Sequence, residues 1–480
     1  MGTTSTTSDS AGRVWPLACV LMPGAAMTMV DATAVNVALR TIQKGLQSSL
    51  STVQWVVSGY VLAMAVVVPF TGWAVDRFGA KRMWCVSLSI FVLGSGLAGL
   101  TTTVEALIAF RILQGLGGGM LVPIAQAILA AAAGPRRLGS AMSTLGTVAV
   151  LGPVLGPVLG GALVDHAGWQ WIFYVNLPIG VVALLFAARV LPRTRGPRPH
   201  PLDVIGLGLA SGGMFGLVFG LSQAASGASG FGESGVYGPI VAGGVSLTLF
   251  ALHSLRKGEA SLLDLRLLRN RDLTAASVCQ FLIFVALFGA QLLLPLFFQV
   301  ARDMSVLEAG LLLAPQGIGV AIAMPIAGRL TDRFGPRLVV LPGLLLAGVG
   351  TLAYTGLVET DSMTMLTCAL LVRGMGIGFL MAPTTAAAYS TLPTAVIGRA
   401  TSITAVLRQL GSAVGTALFA VMFARDVSRL PIDVAFANAF WLAVGLTVLI
   451  GLPALFLGQA RRKRYDAATA SSGADMESVS

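Results

Sequence analysis

Gly72-Trp-Ala-Val-Asp76-Arg77-Phe-Gly79-Ala-Lys81-Arg82 is followed, 256 residues later, by Gly328-Arg-Leu-Thr-Asp332-Arg333-Phe-Gly335-Pro-Arg337. Each stretch closes an apolar run long enough to cross a bilayer. A duplicated, charged, glycine-punctuated turn between membrane spans points to a two-halved transporter. The internal repeat is the mark of that class.

Composition agrees. The chain has 480 residues, 55% hydrophobic and 11% charged, with a mean hydropathy of +0.84. A soluble globule carries roughly 25% charged residues. So few charges cannot cover a wet surface, and lipid must be the main solvent. A span needs about 20 mostly apolar residues. Fourteen such runs are expected, at 15–37, 53–75, 84–103, 105–128, 138–163, 174–192, 202–224, 236–256, 274–298, 306–327, 337–358, 363–386, 399–422 and 434–457. Hydrocarbon cannot satisfy backbone polar groups, so the runs read as helices. The short polar links leave no room for a soluble domain.

The net charge of +11 is a topology signal and does not point to nucleic acid. With the N-terminus in the cytoplasm, 23 of the 31 Lys and Arg residues fall on cytoplasmic segments. Only Arg40, Lys44, Arg302, Arg425 and Arg429 fall outside, and Arg111, Arg373 and Arg408 lie within helices. This asymmetry places both termini in the cytoplasm of an inner (plasma) membrane protein. Membrane lipids are expected partners, notably for Arg461, Arg462, Lys463 and Arg464. Cys19, Cys85, Cys279 and Cys368 all sit within spans and read as packing residues. The three histidines are far apart, so no metal site is expected. Span 1 is expected to act as an uncleaved targeting signal.

The repeat extends beyond the loop motif. Arg111-Ile-Leu-Gln114-Gly115-Leu-Gly117 is echoed by Arg373-Gly374-Met-Gly376-Ile-Gly378. Gly139-Ser-Ala141-Met-Ser143 is echoed by Gly398-Arg-Ala400-Thr-Ser402, and Gly152 and Gly156 by Gly411 and Gly415 at the same offset of 259. The expected architecture is all-α. A tail at 1–14 precedes a six-helix bundle at 15–192, a linker with an inserted helix pair at 193–272, a second six-helix bundle at 273–458 and a tail at 459–480. The charged link from Arg256 to Asp272 is expected to lie on the membrane surface as an amphipathic helix, presenting Leu262, Leu263, Leu265, Leu267 and Leu268.

Charges inside a membrane are costly and mark function. Of the 20 acids, Asp31 alone lies clearly within a span. It and Arg111 each fall about 9 Å from the outer ends of their spans at 1.5 Å per residue, which places them at matched depth. Burial favours the neutral carboxyl and a nearby Arg favours the carboxylate, so Asp31 is a candidate proton carrier and a cationic substrate could compete for it. Gly152-Pro153-Val-Leu-Gly156-Pro157-Val-Leu-Gly160-Gly161 combines prolines that kink a helix with glycines that admit a close neighbour. It is a candidate hinge. In the repeated turns, Gly72, Asp76, Arg77 and Gly79, with Asp332, Arg333 and Gly335, are candidates for a conformational latch. There the carboxylates would pair with nearby arginines or face a helix N-terminus in the other half. Asn36, Gln54, Tyr60, Gln114, Gln291, Arg373 and Arg408 are candidates for lining a substrate cavity. There is no phosphate-cradling Gly-Lys-Ser/Thr loop, so ATP is not expected as the energy source.

Taken together, these residues resemble the 14-helix drug:proton antiporters of the major facilitator superfamily over essentially all of residues 15–458. The likeness rests on Asp31-Ala-Thr33-Ala-Val-Asn36-Val-Ala-Leu39, both loop motifs, Arg111-Ile-Leu-Gln114-Gly115, Gly152–Gly161, Trp169-Gln170-Trp171-Ile-Phe173-Tyr-Val-Asn176-Leu-Pro178-Ile-Gly180 and Arg408-Gln409-Leu-Gly411. Two positions depart from the family: Gln170 stands where Arg is usual, and Arg40 follows Leu39 where proline is usual. The resemblance implies alternating-access export of lipophilic, often cationic compounds in exchange for protons. It also implies coupling roles for Asp31 and Arg111. The scarcity of intramembrane acids argues against dications, leaving neutral or monocationic antibiotics and dyes as the expected cargo. The alternative is a dedicated exporter of an endogenous metabolite, lipid or siderophore. Uptake by symport is disfavoured by the 152–161 motif. A sensor is disfavoured by the missing signalling domain, and an enzyme by the lack of a catalytic cluster. No cofactor is expected, and the protein is expected to work as a monomer with protons and a small molecule as partners.

Overall fold

Apolar runs bounded by hydroxyl, amide and glycine caps fold into helices throughout the computed structural model. The structure describes residues 6–134, 137–192, 201–225, 234–355 and 362–458. In chain order the helices are α1 (Thr6–Gly45), α2 (Leu50–Val67), α3 (Phe70–Phe78), α4 (Ala80–Gly99), α5 (Val104–Ala133), α6 (Leu138–Ala167), α7 (Trp171–Tyr174) and α8 (Asn176–Val190). They continue with α9 (Val204–Ala225), α10 (Ser234–Lys257), α11 (Arg271–Leu296), α12 (Val306–Phe334), α13 (Pro336–Leu352), α14 (Met363–Ser390), α15 (Ile397–Val427) and α16 (Ile432–Ala454). Basic tail residues Arg461 to Arg464, the link 193–200 and the loop 226–233 lie outside the described residues.

The expected count of fourteen spans is corrected. Among the described residues, eleven helices are long and apolar enough to cross a membrane, or twelve if α2 and α3 count as one bent span. The run expected at 337–358 contributes only the shorter apolar helix Pro336–Leu352, and in α6, where the run at 138–163 falls, the continuous apolar stretch among the described residues is Val158–Ala167. Seventeen residues rise about 25 Å, short of the roughly 30 Å hydrocarbon core. The run expected at 53–75 breaks at Pro69, where α3 turns 57° from α2. The protein is an all-α membrane protein with eleven, or up to twelve, apolar spans among the described residues.

Local chemistry explains the boundaries. Ser49, Thr103 and Ser362 accept hydrogen bonds from first-turn amides of α2, α5 and α14. Ser305 and Glu308 form a reciprocal capping box on α12. Gly79 and Gly335 separate α3 from α4 and α12 from α13 with φ of 85° and 87°. That backbone costs an L-side chain but not glycine, so one residue reverses the chain in both copies of the loop motif.

Helices α1, α2, α4, α5, α6 and α8 pack on one another, and so do α11 to α16. The two groups meet where α6 packs on α12 and α14, and where α15 packs on α3 and α5. Helices α9 and α10 pair, and α9 lies against α2 and α15. The connector after α10 is not the expected surface helix. It consists of two 3-10 turns, Gly258–Ala260 and Leu265–Arg269, with Leu262 and Leu263 buried in an apolar cluster with Phe250 and Ile403. Asp203, just ahead of α9, holds this corner. It accepts from Lys257 Nζ at 2.7 Å, His253 Nε2 at 2.9 Å, Gly206 N at 3.1 Å and Leu262 N at 3.2 Å. Burial pushes its carboxyl up, but these donors outweigh burial and hold it at about 2.

Glycines set the closest helix contacts. A Cβ on Gly152 would lie 2.4 Å from Met29 Cβ, and one on Gly160 would lie 2.9 Å from the Ala34 backbone, so α6 rides directly on α1. The echoed glycines do the same in the second group. Cβ atoms on Gly411 and Gly415 would lie 2.6 Å from Phe281 O and 2.3 Å from Val285 O, seating α15 on α11. Gly161 differs, because the nearest atom to its Cβ would be Val37 Cγ1 at 4.0 Å. The side chains of Pro153 and Pro157 lie outside the described residues. Gly160→Ala is expected to cost about 1–3 kcal/mol through overpacking, and Gly161→Ala close to nothing. Thermal unfolding of the two variants in detergent checks this, and equal losses would contradict the crossing geometry.

Candidate functional site

Asp31 on α1 and Arg111 on α5 meet in a closed polar core with both side chains fully buried. Arg111 Nη1 donates to Asp31 Oδ2 and to Gln114 Oε1 at 2.7 Å. Asp31 Oδ1 accepts from Gln114 Nε2 at 3.0 Å and from Asn176 Nδ2 at 3.2 Å. Arg111 Nε donates to Val56 O at 3.1 Å, and its guanidinium sits 4.0 Å over the Tyr60 ring. The Tyr60 hydroxyl donates to Thr28 O at 3.2 Å. Among the described residues, Arg111 Nη2 has no hydrogen-bond partner.

This geometry reassigns two cavity candidates. Tyr60 and Gln114 belong to the ion-pair core. Asn176, together with Ser95 at 3.1 Å, joins it without having been singled out from the sequence. An intramembrane Asn next to Leu177-Pro178 was the available signal, but nothing in the linear spacing tied α8 to α1. Asn36 and Gln54 are exposed.

The repeated loop motifs meet partners from the opposite helix group. Asp332, at the end of α12, accepts from the backbone amides of Gly139 at 2.8 Å and Ser140 at 3.0 Å, and from the Ser140 hydroxyl. A carboxylate there faces the positive N-terminus of α6. Asp76, at the end of α3, accepts from Arg399 Nε at 2.7 Å at the start of α15. Glycines bring the helices together at the same points. A Cβ on Gly139 would lie 2.3 Å from Gly328 O, and one on Gly72 would lie 3.0 Å from Ser402 Oγ. Arg77 and Arg333 are exposed, with Arg333 5.1 Å from the Phe334 ring. Lys81 instead caps α8, donating to Ala188 O at 2.7 Å and Leu191 O at 2.9 Å.

A cavity of about 190 Å³ lies between the two groups. Its apolar wall includes Met29, Met64, Met324 and Met381, with Phe284 and Phe288 stacked at 5.8 Å. Its polar wall includes Gln126, Gln291, Gln316, Gln409 and Arg408, and no acidic side chain is among the described lining residues. Arg408 bridges the groups, donating to Gln126 Oε1 at 2.9 Å and Gln280 Oε1 at 3.3 Å. Of the cavity candidates, Gln291 and Arg408 line it. Arg373 lies on a separate small void and donates to Gln316. Asp31 is absent from the lining, although Met29 and Gly118 on its two helices are present. Direct competition between cargo and proton for Asp31 therefore has no geometric basis in this conformation.

The sequence pattern of the Major Facilitator Superfamily matches residues 21–416. The chain belongs to the Major Facilitator Superfamily. Among its relatives, the Multidrug resistance protein B homolog of Mycobacterium tuberculosis is 41% identical over 406 residues, covering 84% of this chain and 75% of the relative. The Tetracenomycin C resistance and export protein of Streptomyces glaucescens is 32% identical over 425 residues, covering 88% and 78%. The fold of this superfamily member is similar to that of the human organic anion transporter MFSD10, with a TM-score of 0.67, 16% identity, and 92% and 99% of the two chains covered. The family's relatives and fold matches are transporters, not enzymes.

Removing one partner of a buried ion pair leaves an uncompensated charge, at a cost of about 3–5 kcal/mol. Asp31→Asn and Arg111→Gln should each lower the unfolding temperature, and the double variant should regain part of the loss. A double-mutant cycle by thermal unfolding checks this. Strictly additive losses would mean that the two groups do not interact.

Proposed function

We propose that this superfamily member exports lipophilic small molecules in exchange for protons by alternating access, with Asp31 as the proton-carrying group. The observation that carries the reading is the sealed Asp31–Arg111 core. Protonating Asp31 removes the charge opposing Arg111 in a site where both side chains are fully buried. The neutral state therefore favours a rearrangement of Arg111, whose Nη2 is already unpartnered among the described residues. Proton binding thus biases helix positions, and α1 and α5 carry that bias to the cavity through Met29 and Gly118.

With both termini in the cytoplasm, the Asp332–Ser140 and Asp76–Arg399 contacts close the cytoplasmic end. Opening that end breaks both. At 100 mV, each charge moved inward supplies about 2.3 kcal/mol, enough to drive a substantial gradient of a neutral molecule. A cavity lined by Arg408, glutamines and apolar side chains favours neutral cargo over monocations. The relatives named for multidrug and tetracenomycin C resistance support an antibiotic-like cargo. The protein is read as needing no second subunit.

Everted vesicles with an imposed proton gradient test the reading. Wild type should release protons when neutral antibiotics or lipophilic dyes are added, and Asp31→Asn should not. Proton release unchanged in Asp31→Asn would remove Asp31 from the mechanism, and none from wild type with any compound would remove antiport of such cargo. The latch has a separate test. In a cysteine-free background, Asp332→Asn should raise labelling of Leu145→Cys, a cavity position, by an impermeant thiol reagent from the cytoplasmic side. Unchanged labelling would exclude the latch.

A further inference from the structure

A second cavity, of about 140 Å³, lies outside the transport pathway beside the α9–α10 pair. Its walls include Met214 of α9, Phe250 of α10, Leu265 and Leu268 of the connector, Leu407 of α15, and Pro69 at the α2–α3 bend. Every described lining residue is apolar, so neither water nor a polar solute would be held there. The outer face of α10 carries Leu249, Leu252 and Leu255, each about half exposed, and so borders lipid.

The rim has the opposite character. In the 3-10 turn Leu265–Arg269, Leu265 and Leu268 line the cavity while Arg266 and Arg269 are exposed. Arg256 at the end of α10 and Arg271 at the start of α11 are exposed as well. Among the described residues, none of these four arginines is in an ion pair. The nearby acids are turned inward: Asp203 to Lys257 and His253, Asp264 to the Arg266 amide, and Asp272 to the Gly458 amide. The exposed Glu259 is the one acid of the connector facing outward. An apolar slot under a basic rim at the edge of the bilayer matches one kind of molecule: an acyl chain joined to a negatively charged headgroup.

We propose that this pocket binds an anionic phospholipid, with one acyl chain in the slot and the headgroup phosphate against Arg266, Arg269 and their neighbours. The chain would press on Pro69, where α2 turns into α3, and on α15, the helix that α3 meets through Gly72 and Ser402. The bound lipid would thereby brace the α3–α15 contact. This gives the α9–α10 pair, which has no echo elsewhere in the chain, a task separate from carrying cargo.

The test uses the full chain, delipidated in detergent and then supplied with phosphatidylglycerol or phosphatidylcholine of identical acyl chains. Native mass spectrometry counts the retained lipid and thermal unfolding reports its effect. Wild type should retain one phosphatidylglycerol at least tenfold more readily than phosphatidylcholine and unfold several degrees higher with it. The R266Q/R269Q variant should lose the distinction between the lipids. Ala251→Phe, which fills the slot, should lose retention itself, with the milder Ala251→Leu read in its place if the larger side chain prevents folding. Equal retention of both lipids by wild type would overturn the proposal. So would phosphatidylglycerol retention unchanged in both the rim and slot variants, or a slot that takes up a neutral lipophilic dye in preference to either lipid.

Discussion

Hydrocarbon offers no hydrogen bonds, and the rest of this structure answers to that constraint. Backbone amides and carbonyls must be satisfied within each helix. Helices gain nothing by hiding apolar side chains from lipid that is equally apolar, so close backbone approach takes over as the source of cohesion. That is why glycines decide the crossings. Gly152 and Gly160 seat α6 on α1, and Gly411 and Gly415 seat α15 on α11, at contact distances that a Cβ would violate. The same constraint governs charge. Asp31 and Arg111 exist inside the protein only because Gln114, Asn176, Val56 and Tyr60 replace the missing water.

The contacts between the helix groups follow a reciprocal rule. Each copy of the loop motif reaches across to the echoed segment of the other copy. Gly328 and Asp332 meet Gly139 and Ser140, while Gly72 and Asp76 meet Gly398 and Arg399. One carboxylate rests on a helix N-terminus and the other on an arginine, so the two sides reach the same closure with different chemistry. The cavity between the groups has a single charged side chain among its described lining residues, Arg408, which donates to Gln126 and Gln280. An ion pair sealed in one helix group and a cavity between the groups can communicate only through helix movement.

Much of this was legible in the linear chain. The membrane class follows from composition, the loop turns from Gly79 and Gly335, and the buried charges from their rarity within apolar runs. The span count was not legible, because hydropathy does not register the break at Pro69 or the shortness of Pro336–Leu352. The connector at 256–272 was misread for a related reason. Its leucines signal an amphipathic element, but whether the apolar face meets lipid or protein depends on what folds over it, and here Leu262 and Leu263 meet Phe250 and Ile403. Cavity candidates chosen by residue type alone divided between the cavity, the ion-pair core, a separate small void and exposed positions, since polarity within a span does not indicate which way a side chain points.

The sequence by itself determined the solvent, the helices, the repeat and the identities of the scarce charges, because each depends on local composition or spacing. The tertiary structure alone decided partnership. That Asp31 is held by α5 and α8, that each loop motif locks onto the opposite repeat, and that Asp31 stands apart from the cavity are all consequences of helix packing. Contacts between residues 80, 145 or 193 positions apart are set by how helices cross in three dimensions, and no local pattern encodes that crossing.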